Sequence, residues 1–264
     1  MNENEPKQGV LTIPVAIIVA GALIAVSVIY INGPKRPVAM PTNKDAVTIE
    51  INPVTDTDHL LGNPNAPVVV VEYSDTECPF CKNFHTTMHN LVDKYGKEGK
   101  VAWVYRHLPI TNLHPKAWKE AIATECAAVV GGGSSAFWKY TDRIYSITPS
   151  NNGLEESALV DTAKAQGLNV EKFQSCLNTK ATEDKVKKDY TNGVDINDGR
   201  PGTPTNVIVL QNPLESDKRA ALEKIVKNEG LDAFISIDDS SKKILVKGAF
   251  PYEVMALMID LILQ

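Results

Sequence analysis

Apolar and polar positions along the chain form short segments whose spacing predicts alternating strands and helices. Residues 68–71 are four consecutive valines, a run that is typical of a strand buried on both faces of a sheet. Apolar residues then recur at helical spacing as far as about residue 95, and residues 101–106 predict a second central strand. This alternation predicts an α/β fold.

The rest of the chain contains a helical block followed by further strands. Pro115 is well placed at the start of a helix, and alanines and apolar residues continue at helical spacing to residue 130. Further helices are predicted around residues 137–145, 155–166, 170–177 and 181–192. The last part predicts strands at residues 206–210 and 244–248, between them a helix at 216–228 and an extra strand at 233–237, and a closing helix at 251–263.

The amino-terminal part of the chain has the composition of a membrane anchor. No charged residue occurs between positions 10 and 31, and as a helix this segment would be about 33 Å long, enough to span a hydrocarbon core of about 30 Å. A cleaved signal peptide is the alternative, but its apolar stretch is usually about 7–15 residues, and no A-x-A-like site follows promptly here. We therefore predict a short tail at residues 1–9, an N-terminal transmembrane helix at 10–31, a proline-rich tether at 32–57 that includes a short edge strand at 47–51, and a folded domain at 58–264.

Charge and cysteine content narrow the function classes. The net charge is −5 and the pI is near 5.6, and no basic stripe with interleaved aromatic residues occurs, so no nucleic-acid partner is expected. The four cysteines are an even number, which is compatible with two disulfides and an oxidising compartment. The charges flanking the apolar segment, Lys7 on one side and Lys35 and Arg36 on the other, do not place the folded domain outside the cell.

Chemistry is concentrated directly after the valine run, in the sequence Cys78-Pro79-Phe80-Cys81. A strand, a short turn, a CxxC motif and a helix in this order predict a thioredoxin-like redox site. If Cys78 begins the helix, unpaired backbone N–H groups and the positive end of the helix dipole favour its thiolate, which is the nucleophile in disulfide exchange. Cys81 lies three residues further on the same face, so Cys78 would attack and Cys81 would resolve the mixed disulfide.

Two histidines after the cysteines raise the alternative of a metal site. Cys78, Cys81, His85 and His89 form the pattern C-x2-C-x3-H-x3-H. On one continuous helix, Cys78 and His89 would lie about 16 Å apart along the axis, whereas zinc needs all of its donors within about 2.0–2.3 Å. Nothing between residues 84 and 92 breaks the helix, so we expect neither a metal at this pattern nor a cofactor.

Several segments resemble one known family. Residues 61–81, which read LGNPNAPVVVVEYSDTECPFC, are similar to the start of DsbA-like thiol–disulfide oxidoreductases. His114-Pro115 opens an alanine-rich helix, residues 202–205 resemble the loop that carries the family's cis-proline, and residues 248–255 resemble the entry to its last helix. These landmarks occur in the family's order.

The resemblance covers about residues 58–264 and implies a thioredoxin-like fold with a helical subdomain inserted at about residues 112–193. An additional insertion at about residues 211–242 departs from the family pattern, in which a short hairpin turn joins the two strands.

The resemblance also implies roles for residues near the cysteines. Glu72 lies where the family has a buried acid, and because burial raises the pKa of a carboxyl group, it is expected to exchange protons with Cys81. The alternative is that Glu72 reaches solvent or pairs with a lysine. Phe80 stands where strongly oxidising members of the family carry histidine, so we expect a less extreme oxidant in which the pKa of Cys78 is still depressed.

The loop at Thr203 and Pro204 is the expected contact with clients. X–Pro bonds are where cis peptides occur, and the resemblance implies a cis bond here. The backbone of Thr203 would then hydrogen-bond an extended client strand during the mixed disulfide.

The other two cysteines, Cys126 and Cys176, fall in two separate predicted helices. In an oxidising compartment they are expected to form a structural disulfide, which would contribute about 3–4 kcal/mol to stability. The alternative is two buried free cysteines that behave as small apolar side chains. His107 and His114 are interpreted as surface or turn histidines.

Together these features predict an extracytoplasmic thiol–disulfide oxidoreductase, acting as an oxidase of client proteins that carry thiols or disulfides. Its predicted location is the cell membrane, as a single-pass protein of a bacterial-type envelope, and the resemblance implies reoxidation by a membrane oxidase of the DsbB or VKOR type. A disulfide reductase or isomerase is the alternative within the same chemistry. A non-catalytic, membrane-tethered binding or chaperone module is the alternative from another class.

Overall fold

A six-stranded mixed sheet lies at the centre of the computed structural model, which describes residues 47–264. Its strands are β1 (His59–Gly62), β2 (Val68–Ser74), β3 (Val101–His107), β4 (Thr205–Leu210), β5 (Ile235–Ile237) and β6 (Lys243–Lys247), in the spatial order β1-β3-β2-β4-β6-β5. β2 and β3 are parallel, and the other neighbouring pairs are antiparallel. The predicted tail, the predicted anchor and the tether up to residue 46 lie outside the described residues.

The helices predicted from the hydrophobic pattern are present, with ends that differ by a few residues. They are α1 (Pro79–Leu91), α2 (Ala117–Gly131), α3 (Ser134–Ile147), α4 (Ser157–Ala165), α5 (Val170–Cys176), α6 (Lys180–Ile196), α7 (Ser216–Asn228) and α8 (Tyr252–Leu263). α1 continues into one π-helical segment, Val92–Gly96. Within residues 47–264, no helix combines the length and the apolar character needed to cross a bilayer.

The order of the elements confirms the predicted architecture. β2, α1 and β3 form a βαβ unit, and β4, β6 and α8 supply the second half of the sheet and its closing helix. The helices α2 to α6 lie between β3 and β4 in the chain, so the helical subdomain is an insertion in an α/β fold. α7 and β5 form the additional insertion, and β5 pairs with β6 at the edge of the sheet.

The valine run is buried because apolar groups cover both faces of the sheet. Val70 packs in the cluster that contains Phe84 of α1 and Met255 of α8, whereas Val71 packs on the other face with Ile196 of α6. The helical subdomain has a separate core. There, a disulfide joins Cys126 of α2 to Cys176 of α5, with the two Cα atoms 5.7 Å apart.

Residues 47–57 correct the predicted boundary between tether and domain. The Ile49 side chain is buried and packs on one face of the sheet. The Lys243 ammonium donates to the Ile49 carbonyl at 2.7 Å, and the Asn52 N–H donates to Asn192 Oδ1 at 2.8 Å. This segment therefore belongs to the folded domain, and the edge strand predicted at residues 47–51 is absent because these residues make no ladder with the sheet.

Candidate active site

The CxxC cysteines lie where β2 has ended and α1 begins. Cys78 is the N-cap residue of α1, and Pro79 follows in the first turn, where a proline sacrifices no helical hydrogen bond. The Cys78 N–H donates to the Asp75 carbonyl, and the Lys82 N–H donates to the Cys78 carbonyl, both at 3.1 Å. The first turn of α1 carries no acidic residue, so no carboxylate within that turn offsets the effect of the helix dipole on Cys78, although Asp75 in the preceding turn opposes its ionisation.

The two cysteines differ in accessibility. Both are free thiols, which is the reduced form of the predicted pair. Cys78 is 5% exposed and Cys81 is 0% exposed, while the intervening Phe80 is 40% exposed. Both are therefore buried, and of the two only Cys78 keeps any solvent-exposed surface.

The two thiols also differ in acidity. A hydrogen bond from the Cys81 side chain, acting against the burial of the site, lowers the pKa of Cys78 to about 6. Burial raises the pKa of the Cys81 thiol well above its ordinary value, and the neighbouring Cys78 raises it further. At neutral pH the accessible sulfur is therefore the thiolate, and the enclosed one keeps its proton.

Thr203 and Pro204 are brought beside Cys78 by the register of the sheet. β4 begins at Thr205, which pairs with Tyr73 near the end of β2, so the residues before β4 fall next to the turn that follows β2. The Thr203–Pro204 peptide bond is cis. Cys78 Sγ lies 3.5 Å from the Thr203 carbonyl oxygen.

Glu72 is fully buried on β2. Neither oxygen of its carboxyl group has a hydrogen-bond partner in the described part of the chain. Burial raises its pKa to about 7, and its proximity contributes to the raised pKa of Cys81. The alternative of a solvent-exposed or lysine-paired Glu72 is therefore not found in the structure.

Asp75 and His114 form a buried pair that sequence reasoning missed. His114 Nδ1 and the Ile110 N–H each lie 2.8 Å from Asp75 Oδ2, and the Glu77 N–H donates to Asp75 Oδ1 at 2.8 Å. The bond to Asp75 raises the pKa of His114. His114 lies in the loop after β3, as the turn alternative predicted, but the surface alternative was wrong: His114 is 7% exposed, because this loop folds onto the turn after β2.

Two acidic residues meet at the same turn, Glu77 within it and Glu120 from the helical subdomain. Glu77 and Glu120 of α2 are both buried, and Glu120 Oε2 accepts a hydrogen bond from Thr76 Oγ1 at 2.6 Å. Burial, and then the neighbouring Glu77, raise the pKa of Glu120 to about 8. Glu120 is therefore mostly protonated at neutral pH, which limits the repulsion between the two carboxyl groups.

The interpretation of His107 as a surface or turn histidine was also wrong: it is the last residue of β3 and is 1% exposed. Its Nε2 lies 2.9 Å from one oxygen of Glu125, and His59 Nε2 lies 3.0 Å from the other. Against the effect of burial, these two histidines lower the pKa of Glu125. This cluster joins β1, β3 and α2.

A cysteine pair at the start of the helix of a βαβ unit is the arrangement of a thioredoxin-like redox motif, and here it lies in a mixed sheet with an inserted helical subdomain. A family model described as thioredoxin matches residues 54–228. Since this match covers more than half of the chain, the protein belongs to the thioredoxin family.

Solved structures with the same fold carry the DsbA name or a related one. The α-DsbA1 of Wolbachia pipientis matches with a TM-score of 0.59 and 21% identity, over 79% of this chain and 92% of that one. DsbA2 of Pseudomonas aeruginosa has a TM-score of 0.54 and 23% identity, over 80% and 96%. Oxidised BdbD of Bacillus subtilis has a TM-score of 0.52 and 24% identity, over 70% and 98%. The likeness extends through the helical insertion and establishes the fold.

Curated relatives with higher identity are much longer proteins. The Na(+)/H(+) antiporter NhaA 1 of Mycolicibacterium gilvum is 34% identical over 116 residues, which are 44% of this chain and 17% of the antiporter. The antiporter NhaA 3 of Salinispora tropica is 33% identical over 150 residues, 57% of this chain and 21% of that protein. The match thus spans about a fifth of the length of these relatives. The antiport activity in their names describes those proteins and is not carried over to this chain.

Proposed function

We propose that the protein is a thiol–disulfide oxidoreductase that oxidises client proteins through Cys78 and Cys81. The observation that carries this proposal is the difference in exposure and in pKa between the two sulfurs. Cys78 is accessible and has its pKa lowered to about 6, whereas Cys81 is enclosed and has its pKa raised. Disulfide exchange needs such a pair, because one sulfur must be attacked from outside and the other must leave and stay protected.

The reaction starts from the oxidised pair. A client thiolate attacks Cys78 Sγ, the Cys78–Cys81 bond breaks, and Cys81 leaves with the bonding electrons. We propose that the Glu72 carboxyl group delivers a proton to this thiolate, since burial holds its pKa near 7. A second client thiolate then attacks the client sulfur of the mixed disulfide and releases Cys78 as a thiolate. The client has lost two electrons and the cysteine pair has gained them.

Client binding is proposed at the backbone of Thr203, beside Pro204. An extended client segment that reaches Cys78 passes this loop, in which the Thr203 carbonyl oxygen lies 3.5 Å from Cys78 Sγ. Backbone hydrogen bonds bind a strand irrespective of its side chains, which suits an enzyme with many clients.

The direction of electron flow follows from thiolate stability. A lowered pKa of Cys78 stabilises the reduced form, and a protein whose reduced form is stabilised is an oxidant. Phe80 is half exposed and its ring has no N–H or O–H to donate, so we expect a reduction potential between about −270 mV for thioredoxin and about −120 mV for DsbA. A value at or below that of thioredoxin would favour the reductase alternative.

We also propose that the domain works outside the cytoplasm, anchored by residues 10–31 and reoxidised by a membrane oxidase of the DsbB or VKOR type. The apolar segment and the disulfide between Cys126 and Cys176 support this location, because structural disulfides persist in oxidising compartments. Membrane fractionation, with protease added to intact cells after removal of the outer layers, tests both the anchoring and the side.

Trapping of clients tests the catalytic proposal. In Cys81→Ser the Cys78 thiolate can still attack a client disulfide, but the thiol that would attack the resulting mixed disulfide and release the client is missing, so clients should accumulate on Cys78 and run as reducible adducts on a gel. The matched control, Cys78→Ser, keeps one cysteine of the motif but should trap nothing. If Cys81→Ser forms no adducts and Cys78→Ser leaves the cellular phenotype unchanged, the non-catalytic binding module becomes the better description.

A further inference from the structure

The two histidines of α1 meet a carboxylate from the helical subdomain. α1 is unbroken from Pro79 to Leu91, so His85 and His89 lie one turn apart and do not fold back towards the cysteines. Their partner is Asp142 of α3. Asp142 Oδ1 lies 2.8 Å from His85 Nε2 and 2.9 Å from His89 Nε2, and the two Nε2 atoms are 3.2 Å apart.

The three donor atoms form a triangle of the size that a metal ion requires. Donors bound at about 2.0–2.2 Å to one ion, at angles between 90° and the tetrahedral value, lie about 2.8–3.6 Å from each other. All three sides of the observed triangle fall in this range. Histidines four residues apart on one helix face also supply two ligands to zinc in other proteins.

Aromatic side chains fix the position of the buried histidine. The His85 ring lies 4.3 Å from the Tyr145 ring and 5.1 Å from the Trp103 ring, measured between centroids. Trp103 also meets the edge of His89, with centroids 5.2 Å apart. Ligands held in this way lose little conformational entropy when an ion binds.

One side of the triangle is open. The side chains of His89 and Asp142 are 34% and 42% exposed, whereas that of His85 is 7% exposed. An ion can therefore enter from solvent and keep one or more water ligands, as in sites with three protein donors. We propose that His85, His89 and Asp142 bind one divalent transition-metal ion of the zinc type.

A metal-free explanation makes a different prediction. Asp142 Oδ1 can accept hydrogen bonds from both Nε2–H groups, which holds α1 against α3 without an ion. Metal binding requires both Nε2 atoms to lose their protons. A second group of possible metal ligands, His107, Glu125 and Asp189, is wholly buried. In the test below it is the alternative site at which an added metal ion could bind.

The test is a metal titration of the full, untagged chain in mild detergent. The Cys78→Ser/Cys81→Ser variant is used so that thiolates cannot bind metal, and this makes the result independent of the proposed redox function. Co²⁺ is added while the visible d–d absorption is followed, and Zn²⁺ is then used to displace it. We expect one equivalent bound per chain.

Two substitutions at the open side are the decisive variants. His89→Gln and Asp142→Asn should each weaken binding at least about 100-fold, because loss of even an outer partner of a ligand costs about 10–100-fold. Asp93→Asn removes an exposed carboxylate that pairs with Lys97 in the segment that continues α1, and it should change the affinity far less than either substitution in the triad. Circular dichroism shows whether each variant is folded.

X-ray absorption on the Zn²⁺-loaded chain needs no substitution in the triad. Two imidazoles at about 2.0–2.1 Å with oxygen completing the shell is the expected result. Absence of stoichiometric binding, or binding that survives both His89→Gln and Asp142→Asn but is lost in Glu125→Gln, would overturn the proposal.

Discussion

The hydrogen bond between the two thiols can be tested with a pair of substitutions at Cys81. Cys81→Ala removes the side-chain donor, whereas Cys81→Ser keeps an O–H group at the same position. In the wild-type protein this donor is the largest cause of the lowered pKa of Cys78, which lies near 6. The two variants therefore differ in whether residue 81 can donate a hydrogen bond to the Cys78 thiolate.

The expected size follows from the energy of a charged hydrogen bond. Such a bond contributes about 1.5–3 kcal/mol, and one pKa unit corresponds to about 1.4 kcal/mol. Loss of the donor in Cys81→Ala should therefore raise the pKa of Cys78 by about 1–2 units. In Cys81→Ser the pKa should stay close to the wild-type value.

The assay is the rate of alkylation of Cys78 by iodoacetamide as a function of pH. Because Cys126 and Cys176 are joined, Cys78 is the only free thiol in both variants, and the thiolate absorbance near 240 nm gives an independent titration. If both variants titrate at the same pH, the Cys81 donor is not the cause of the acidity, and the helix terminus must supply it.

Three further predictions concern stability. Burial raises the pKa of Glu72 from 4.5 to about 7, so the contribution of this carboxyl group to the free energy of unfolding is lost as pH rises through that range. Between pH 4 and pH 8, the free energy of unfolding of the oxidised Glu72→Gln variant, measured in urea, should therefore rise relative to wild type by up to about 3 kcal/mol. Asp58→Asn should cost about 3–5 kcal/mol at pH 7 in the same assay, because it leaves the buried Arg106 guanidinium without its carboxylate. Replacing Cys126 and Cys176 by alanine should cost about 3–4 kcal/mol, given their separation of 50 residues.

The Asp58 prediction has a matched control within the chain, and each of the other two has a result that would contradict it. Asp93 pairs with Lys97 on the surface, so Asp93→Asn should change stability far less than Asp58→Asn. A gain in Glu72→Gln that is equal at pH 4 and pH 8 would mean that the carboxyl group does not titrate on unfolding. A disulfide-free variant with unchanged stability would show that the core of the helical subdomain suffices without the bond.

The central part of the fold could be predicted because its signals are local. The valine run at residues 68–71 and the CxxC motif specify a strand and a helix start without reference to the rest of the chain. The same holds for the amphipathic pattern of α7. By contrast, β1 is a short strand that ends at Gly62 and shows no alternation, so only its pairing with β3 identifies it.

The buried charges could not be predicted from single segments. His114 and Asp75 are far apart in the sequence and meet because the parallel strands β2 and β3 end at the same edge of the sheet. The partner of His85 and His89 was missed for a similar reason. Asp142 lies on a helix that the hydrophobic pattern identifies, but its approach to α1 depends on how the helical subdomain docks.

These buried acids bear directly on the reactivity of Cys78. Carboxylates near a thiol oppose its ionisation, and Asp75 and Glu72 both lie close enough to interact with Cys78. The structure limits this effect in two ways: His114, whose pKa is raised by Asp75, compensates that charge, and burial keeps Glu72 largely protonated up to about pH 7. Above that pH, ionised Glu72 adds negative charge beside the thiolate and can no longer supply a proton to Cys81. An ionised Cys78 and a protonated Glu72 therefore occur together in the interval from about pH 6 to about pH 7, and proton delivery to Cys81 should fail as pH rises above it.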